Sequence, residues 1–494
     1  MPLWRNSAVN LAGQALPALA YALVLPTLIH ELGLQRFGVF ALVWTLFSYL
    51  TLFDLGLGRG TARAVARARE VGEEQLLYSI VWTSWLLLLV VAGGAGLVVW
   101  AVAPVGGAWL RLPQEVQGEA LQTFRLTGAV LPVFLVAWAL QAVLEGLRWF
   151  GPVAAVRAAL GITTAFGLAL SARSGLPAMV WTVTVARAGY LLALGILVER
   201  ALPGLWRRPC FHGRVARELV DFGRWVVVHA WMAPVLTYGD RFLVAILRGA
   251  ADVSVYAVPQ ETVLRLMLVP AAVATAAYPV LSGSQAVGAT EDVQRTYSEG
   301  LRLVSTVLGP GSVLLVLFPG EILRLWIGPQ AQMAADPLRL LAVGGLLLGC
   351  AQVPSVAFAA LGRPDVPARV TLALALPFVA TAAMLVQFVG ARGAALAWSL
   401  RAAVQFCAYA ILLGRLLGPG EPLKQRNVYG PIVRWLVILA AAAAVDAAFC
   451  PPPAVRLGLV GVLGMVAVYR LAGSKTLFPR LGENGCVGSA RFGS

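Results

Sequence analysis

Charged side chains lie within two consecutive apolar stretches near the middle of the chain, and their spacing indicates an ion-paired network. Asp240 and Arg241 belong to the first stretch, and Glu261 and Arg265 belong to the second. If two helices form a hairpin around Ala251, reflection about that residue puts the first pair at the depth of Glu261. Glu261 and Arg265 are four residues apart, in the favourable order for an ion pair on one helix. We predict that these four side chains form one network, which either lines a cavity or only joins two helices.

Arg187 and Arg401 lie near the middle of two other apolar stretches. A charged group is most costly at that depth of a bilayer, so it usually faces the interior of a helix bundle or a water-filled cavity. The other neutral or cationic polar candidates in apolar stretches are Asn10, Gln14, Gln141, Arg157, Arg302 and Gln405. We treat Arg187, Arg401 and the two amides of the first stretch as candidate binding groups.

Carboxylates in the same stretches could bind a coupling ion or proton. The candidates are Asp54, Glu145, Asp240 and Glu261. Asp54 lies about one turn from Arg59 and could instead cap a helix end at the membrane surface. His229 is the one histidine inside an apolar stretch, and we interpret it as a hydrogen-bonded core residue in preference to a proton relay.

The elements that hold these residues are predicted to be transmembrane helices. The 494-residue chain is 59% hydrophobic and 12% charged, with a mean hydropathy of +0.80, whereas soluble domains carry about 25% charged residues. About 20 apolar residues cross a bilayer as one helix. We predict fourteen spans, near residues 8–29, 38–58, 78–101, 123–145, 152–170, 176–198, 219–247, 255–281, 301–319, 337–361, 364–388, 393–414, 430–448 and 455–471.

The distribution of basic residues predicts that both termini are cytoplasmic. With the N-terminus inside, 20 of the 38 lysines and arginines fall in cytoplasmic segments and seven in outer loops. Cytoplasmic loops normally carry such an excess. In this orientation, the network of Asp240, Arg241, Glu261 and Arg265 lies in the outer half of the membrane. The net charge of +15 then indicates contact with anionic lipid head groups and not with nucleic acid.

An internal repeat is indicated by two similar segments, one near the N-terminus and one near the middle of the chain. Residues 33–42, GLQRFGVFAL, align without a gap with residues 249–258, GAADVSVYAV. The polar connection between Glu199 and Glu218 separates the two halves. We therefore predict an all-α integral membrane protein with two pseudo-symmetric six-helix lobes, residues 1–200 and 201–418. Residues 419–494 add two extra C-terminal helices and a cytoplasmic tail.

The sequence contains no motif of a common enzyme class, such as GxSxG, HExxH or a Walker A loop. Its five cysteines are widely separated, which argues against a metal site, a redox pair or a disulfide framework. We expect neither a cofactor nor a catalytic activity. A membrane glycosyltransferase or polymerase would need catalytic carboxylates in a large outer loop, and the predicted outer loops are short.

Three segments resemble the Wzx-type flippases and related polysaccharide-biosynthesis exporters. They are NSAVNLAGQALPALAYALVLPTLIHELGLQRFGVFAL at residues 6–42, FDLGLGRGTAR at 53–63 and TYGDRFLVAILRGAADVSVYAV at 237–258. This family belongs to one superfamily with the MATE multidrug exporters and the peptidoglycan lipid flippase. The resemblance is good from the N-terminus to the neighbourhood of Val280, and it continues in the remainder of the chain as a pattern of spans.

The resemblance implies a transporter of the bacterial inner membrane with two lobes around a central cavity. It implies that an undecaprenyl-diphosphate-linked oligosaccharide is flipped from the inner to the outer leaflet, with ion coupling and with a polymerase and glycosyltransferases as possible partners. A diphosphate needs cationic partners, and guanidinium groups provide bidentate hydrogen bonds. The substrate-binding candidates are Arg187, Arg241, Arg265, Arg401, Asn10 and Gln14, and the ion-coupling candidates are Asp54, Glu145, Asp240 and Glu261.

Two alternatives remain open at this point. A cation-coupled multidrug exporter would prefer an acidic cavity for cationic drugs, and the candidates here include more arginines than acids. A membrane glycosyltransferase or polymerase would reveal itself by sugar transfer. The sequence does not identify the glycan or the ion.

Overall fold

The computed structural model describes residues 3–53, 57–71, 73–109, 114–147, 149–207, 209–286, 289–418, 428–449 and 453–473, and these are helical with short connections and no strand. The α-helices of the first half are α1 (Leu3–Phe53), α2 (Leu57–Val71), α3 (Glu74–Trp109), α4 (Gln114–Gly146), α5 (Phe150–Ser171) and α6 (Leu176–Ala201). Those that follow are α7 (Gly213–Arg248), α8 (Ala250–Leu266), α9 (Leu268–Ala286), α10 (Thr290–Leu317), α11 (Pro319–Trp326), α12 (Ala335–Ala360), α13 (Asp365–Val389), α14 (Ala391–Leu417), α15 (Gly430–Phe449) and α16 (Pro453–Gly473).

Ten helices in the described ranges are long and apolar enough to cross a membrane. The prediction of an all-α membrane protein is therefore confirmed, and the total of fourteen spans stays a prediction. One of the ten includes parts of two predicted spans, because α1 continues through a sharp kink at Gly33, whose φ of 67° is readily adopted only by glycine. The eighth predicted span is divided into α8 and α9 at Met267.

Equivalent turns recur in the two halves of the chain. Gly33 and Gly249, which are paired in the alignment of the two similar segments, both combine a positive φ with an extended ψ, of 171° and 175°. Gly175 and Gly390 also have positive φ values, and they lie within one position of the same alignment. These matching turns support the predicted internal repeat.

The described chain divides into two compact units. Unit 1 contains Met1–Glu261, Leu323–Pro337 and Thr371–Ala397, and unit 2 contains Thr262–Ile322, Leu338–Val370 and Trp398–Ser494. This division is based on contacts and differs from the predicted lobe boundaries at residues 200 and 418, which stay a prediction.

Unit 1 has a core to which the short helix α2 contributes. This arginine-rich helix follows the second predicted span, and its Val65 and Ala68 are buried in a core shared with α3 and α4. Arg69 of this helix donates to the carbonyl oxygen of Leu147 at 2.5 Å. The arginines of α2 thus lie on a helix that is packed against unit 1 by its apolar residues and by the hydrogen bond of Arg69.

At the end of unit 1 that holds the Gly33 kink, several arginines form ion pairs. Arg36 lies 2.9 Å from Glu119, and Arg173 lies 2.9 Å from Glu31. Glu119 also accepts a hydrogen bond from the backbone nitrogen of Leu176 at 2.8 Å. Arg36 therefore joins α1 to α4.

The two similar segments also contact each other within unit 1, and each of two contacts is the counterpart of the other. Gly38 of α1 lies so close to α8 that an added Cβ would overlap the carbonyl oxygen of Ala250. Ser254 of α8 donates a hydrogen bond to the carbonyl oxygen of Leu34. The alignment of the two similar segments pairs Leu34 with Ala250 and Gly38 with Ser254. Replacing each residue by its aligned counterpart therefore converts the first contact into the second.

Unit 2 includes the described parts of the last two helices. Trp435 of α15 fills the space beside Gly309 of α10. Asp446 of α15 forms ion pairs with Arg339 of α12 at 2.5 Å and with Arg456 of α16 at 2.8 Å. Helices α15 and α16 are therefore packed into this unit.

Candidate functional site

Three helices of unit 1 bring polar side chains together in the first half of the chain. This first-half polar cluster consists of Gln141 and Glu145 on α4, Arg157 on α5, and Arg187 and Tyr190 on α6. Residues four apart, or three apart, lie on one face of a helix. Gln141 and Glu145 therefore lie on one face of α4, and Arg187 and Tyr190 lie on one face of α6.

Hydrogen bonds connect four of the five members. Glu145 accepts from Gln141 at 2.8 Å and from Arg157 at 3.2 Å, and both bonds end on its Oε1 atom. The Tyr190 hydroxyl donates to the amide oxygen of Gln141 at 2.8 Å. Arg187 lies one turn before Tyr190 on α6. Sequence reasoning identified these residues singly, except Tyr190, but did not place them together.

Arg187 differs from the other intramembrane arginines whose surroundings are fully described. Its guanidinium carbon lies 5.2 Å from the centre of the Phe134 ring, which is itself stacked on Phe47 at 4.4 Å. Among the described residues, no carboxylate forms an ion pair with Arg187 and no acceptor takes a hydrogen bond from it. An aromatic face attracts a cation but does not neutralise it, so Arg187 keeps hydrogen-bond donors for an anion.

Three residues of the predicted network, Asp240, Arg241 and Glu261, lie in a second site within unit 1. Arg241 is 1% exposed and donates to Glu261 at 2.9 Å, to Gln260 at 2.6 Å and to Thr45 at 3.3 Å. The ring of Tyr238 lies 4.8 Å from its guanidinium carbon. Since each guanidinium nitrogen has an acceptor, this arginine could bind an external anion only after losing an internal partner.

Asp240 is equally buried and accepts a hydrogen bond from the Tyr256 hydroxyl. Gln260 completes the connection, because its amide nitrogen donates to Tyr256 at 3.0 Å and to the carbonyl oxygen of Thr237 at 2.8 Å. The sequence prediction missed Thr45, Tyr256 and Gln260. The spacing of four between Tyr256 and Gln260 on α8 was the available signal.

The remaining binding candidates are distributed over the chain. Arg265 lies half-buried on α8, one turn after Glu261, and belongs to unit 2. Arg401, also in unit 2, is 7% exposed and donates to Gln405 at 2.9 Å. Asn10 and Gln14 lie on α1, but the structure does not describe their side chains, nor that of His229. Asp54 lies outside the described residues.

Comparison with known proteins identifies relatives of most of the chain. The family described as "Polysaccharide biosynthesis protein" matches residues 3–285, which is more than half of the chain, and the family described as "MatE" matches residues 228–385. A Shigella flexneri protein named "Putative O-antigen transporter" is 28% identical over 415 residues, covering 81% of this chain and 95% of its own length. A Bacillus subtilis protein, "Uncharacterized membrane protein EpsK", is 22% identical over 446 residues and 86% of each chain.

Solved structures of two transporter types share the fold. The lipid II flippase MurJ in an inward closed conformation superposes with a TM-score of 0.72 at 12% identity, over 95% of this chain and 98% of that one. A MATE family multidrug resistance transporter in its inward-facing conformation gives 0.71 at 15% identity, over 83% of this chain and 97% of that one. At these identities the likeness concerns the fold alone.

Proposed function

This chain belongs to the family of polysaccharide biosynthesis proteins, and from that premise we propose that it is a flippase for an undecaprenyl-diphosphate-linked oligosaccharide. It would move this lipid from the inner to the outer leaflet of a bacterial inner membrane by alternating access, driven by an ion gradient. The name of its Shigella relative, an O-antigen transporter, supports this substrate class. Both termini would be cytoplasmic, and a polymerase and glycosyltransferases would be partners in the same process.

The observation that carries the proposal is the unneutralised guanidinium of Arg187. A diphosphate brings at least two negative charges into a medium of low dielectric constant, where an unpaired charge is costly. Guanidinium binds phosphate oxygens through two parallel hydrogen bonds. Arg187 is the described residue best suited to this, whereas Arg241 is already saturated by Glu261, Gln260 and Thr45.

Ion coupling requires a group whose charge changes during transport. Three candidates are described, and each accepts a hydrogen bond from a residue on another helix: Glu145, Asp240 and Glu261. Protonation of such a carboxylate would release its partner and change helix contacts. Asp54 remains a candidate for the same role.

A multidrug exporter is the second candidate, and the MatE match at residues 228–385 favours it. A drug exporter of that type would hold cationic compounds. The first-half polar cluster contains two arginines and one carboxylate, which disfavours a cationic substrate.

The test is flipping of a fluorescent undecaprenyl-diphosphate oligosaccharide by the purified protein in liposomes. We expect Arg187→Gln to reduce the initial rate at least tenfold, while Arg415→Gln, at an exposed position on α14, leaves the rate unchanged. An unchanged rate in the Arg187 variant would contradict the proposal. Export of a cationic dye without lipid flipping would favour the exporter.

A further inference from the structure

We propose that Arg157, Arg187 and Tyr190 form a diphosphate-binding subsite in which the Glu145 carboxylate occupies the place of a phosphate oxygen until the ligand displaces it. This inference rests on the proposed function, because it names the residues that would hold the head group of the lipid. The shared chemistry is a diphosphate, whether it belongs to a lipid or is free in solution.

The charge of the first-half polar cluster is the first argument. Arg157 and Arg187 carry two positive charges, and Glu145 is the one carboxylate among the five members. The excess of one positive charge lies inside a helix bundle, where it is costly unless an anion joins it. A phosphate group would supply that charge.

The second argument is the supply of hydrogen-bond donors. The Nε atom of Arg157 is buried and has no hydrogen-bond partner among the described residues. Arg187 also donates to no described acceptor, but its nitrogens are not among the fully buried ones. A buried donor without an acceptor is costly and rare in native structures. Arg157 is joined to Tyr190 through Glu145 and Gln141, and Arg187 lies one turn from Tyr190 on α6, so both guanidinium groups could donate to one acceptor-rich ligand that completes the site.

The third argument is that Glu145 can be exchanged. Its side chain is 34% exposed and that of Arg157 is 29% exposed, whereas the Arg241–Glu261 pair is sealed at 1% and 12%. Glu145 precedes the last residue of α4, Gly146, so its side chain can turn away without disturbing a helix. Arg157, in contrast, lies within its helix, seven residues or about 10 Å from the start of α5, so Glu145 is the member of the pair that lies at a helix end.

Binding measurements on the detergent-solubilised full chain test the subsite. We expect Glu145→Gln to bind inorganic pyrophosphate about tenfold more tightly than the unmodified protein, because the competing carboxylate is lost and the side-chain shape is kept. Arg157→Gln and Arg187→Gln should each bind at least tenfold more weakly. Tyr190→Phe should bind two- to fivefold more weakly, since it loses one hydroxyl and no charge.

The matched control is Glu119→Gln, at the other end of α4, where the carboxylate also pairs with an arginine, Arg36. This variant should leave pyrophosphate affinity unchanged. Thermal unfolding in the same detergent identifies any variant that fails to fold, and Tyr190→Phe then carries the test. If Glu145→Gln binds pyrophosphate no more tightly than the unmodified protein, Glu145 is a structural partner and the inference fails.

Farnesyl diphosphate as a second probe separates the two sources of the ligand. Tight binding of both probes, with the same dependence on Arg157 and Arg187, supports a site for a lipid head group. Tight binding of pyrophosphate together with exclusion of farnesyl diphosphate supports the subsite and contradicts the proposed flippase function. Failure of the flipping assay with intact binding of both probes would contradict the transport step alone.

Discussion

Arg241 and Arg187 lie in one structural unit, but the surroundings of their guanidinium groups differ. Arg241 is enclosed by Glu261, Gln260 and Thr45, which together satisfy its three nitrogens. Such saturation is typical of a residue that joins helices. Arg187 has an aromatic face and no described acceptor, which is typical of a residue that binds an anion. Mutation of Arg241 should therefore lower stability, whereas mutation of Arg187 should weaken anion binding and flipping.

Replacing Arg241 by Met should destabilise the protein. The change removes the one cation shared by Glu261, Gln260 and Thr45 in a buried site, and breaking a buried pair costs about 3–5 kcal/mol. We expect a clearly lower midpoint of thermal unfolding in detergent. Arg392→Met is the control, because its ion pair with Asp336 is 61% exposed on the arginine side and should matter little. Equal midpoints for both variants would contradict the structural role of Arg241.

At the scale of helices, the sequence predicted the apolar spans and the turns between them well. Charged and turn-forming residues mark the ends of the spans, as at Gly175, which lies between the fifth and sixth predicted spans and immediately before α6. The predicted spans do not include residues 59–71 of α2, although Thr61, Val65 and Ala68 recur at helical spacing and are all buried. The pairing of Arg157 with Glu145 could not be predicted, because it depends on how two neighbouring helices are rotated about their axes.

The crossing of α1 and α8 gives a prediction at this scale. Gly38→Ala should destabilise the protein by about 1–3 kcal/mol, since its Cβ would overlap the Ala250 carbonyl oxygen and the helices would have to separate. Gly94→Ala on α3 is the matched control, because no atom lies within 4 Å of its added Cβ. That variant should be neutral or more stable by up to about 1 kcal/mol. Thermal unfolding in detergent distinguishes the two outcomes.

For the whole molecule, the sequence predicted the class of protein and its family but not the integration of its C-terminal helices. The last two spans have no counterpart in the repeat, so residues 419–494 were expected as an addition to the two lobes. In the structure, Asp446 joins α15 to Arg339 of α12, and Arg456 joins α16 to Glu321 of α11 at 3.1 Å. Such long-range pairs depend on tertiary packing, which the apolar pattern of α15 and α16 does not specify.

Asp446→Asn should reveal how much unit 2 depends on these helices. The substitution keeps the side-chain shape but removes the negative charge that Arg339 and Arg456 share, and a hydrogen bond to a charged group contributes about 1.5–3 kcal/mol. We expect a lower unfolding midpoint in detergent. Asp365→Asn, whose ion pair with Arg363 is exposed, should leave the midpoint almost unchanged. A midpoint unaffected by Asp446→Asn would show that the last helices are held by apolar packing alone.

The exchange of contacts between α1 and α8 has a consequence for ancestry. Leu34 and Gly38 meet Ala250 and Ser254 in the way that one surface meets its own copy across a two-fold axis. Fusion of two tandem copies of a half-length gene, whose products once associated as a homodimer, would leave this arrangement. The close approach at Gly38 would then be the oldest interface in the protein, inherited from a time when its two sides were separate chains.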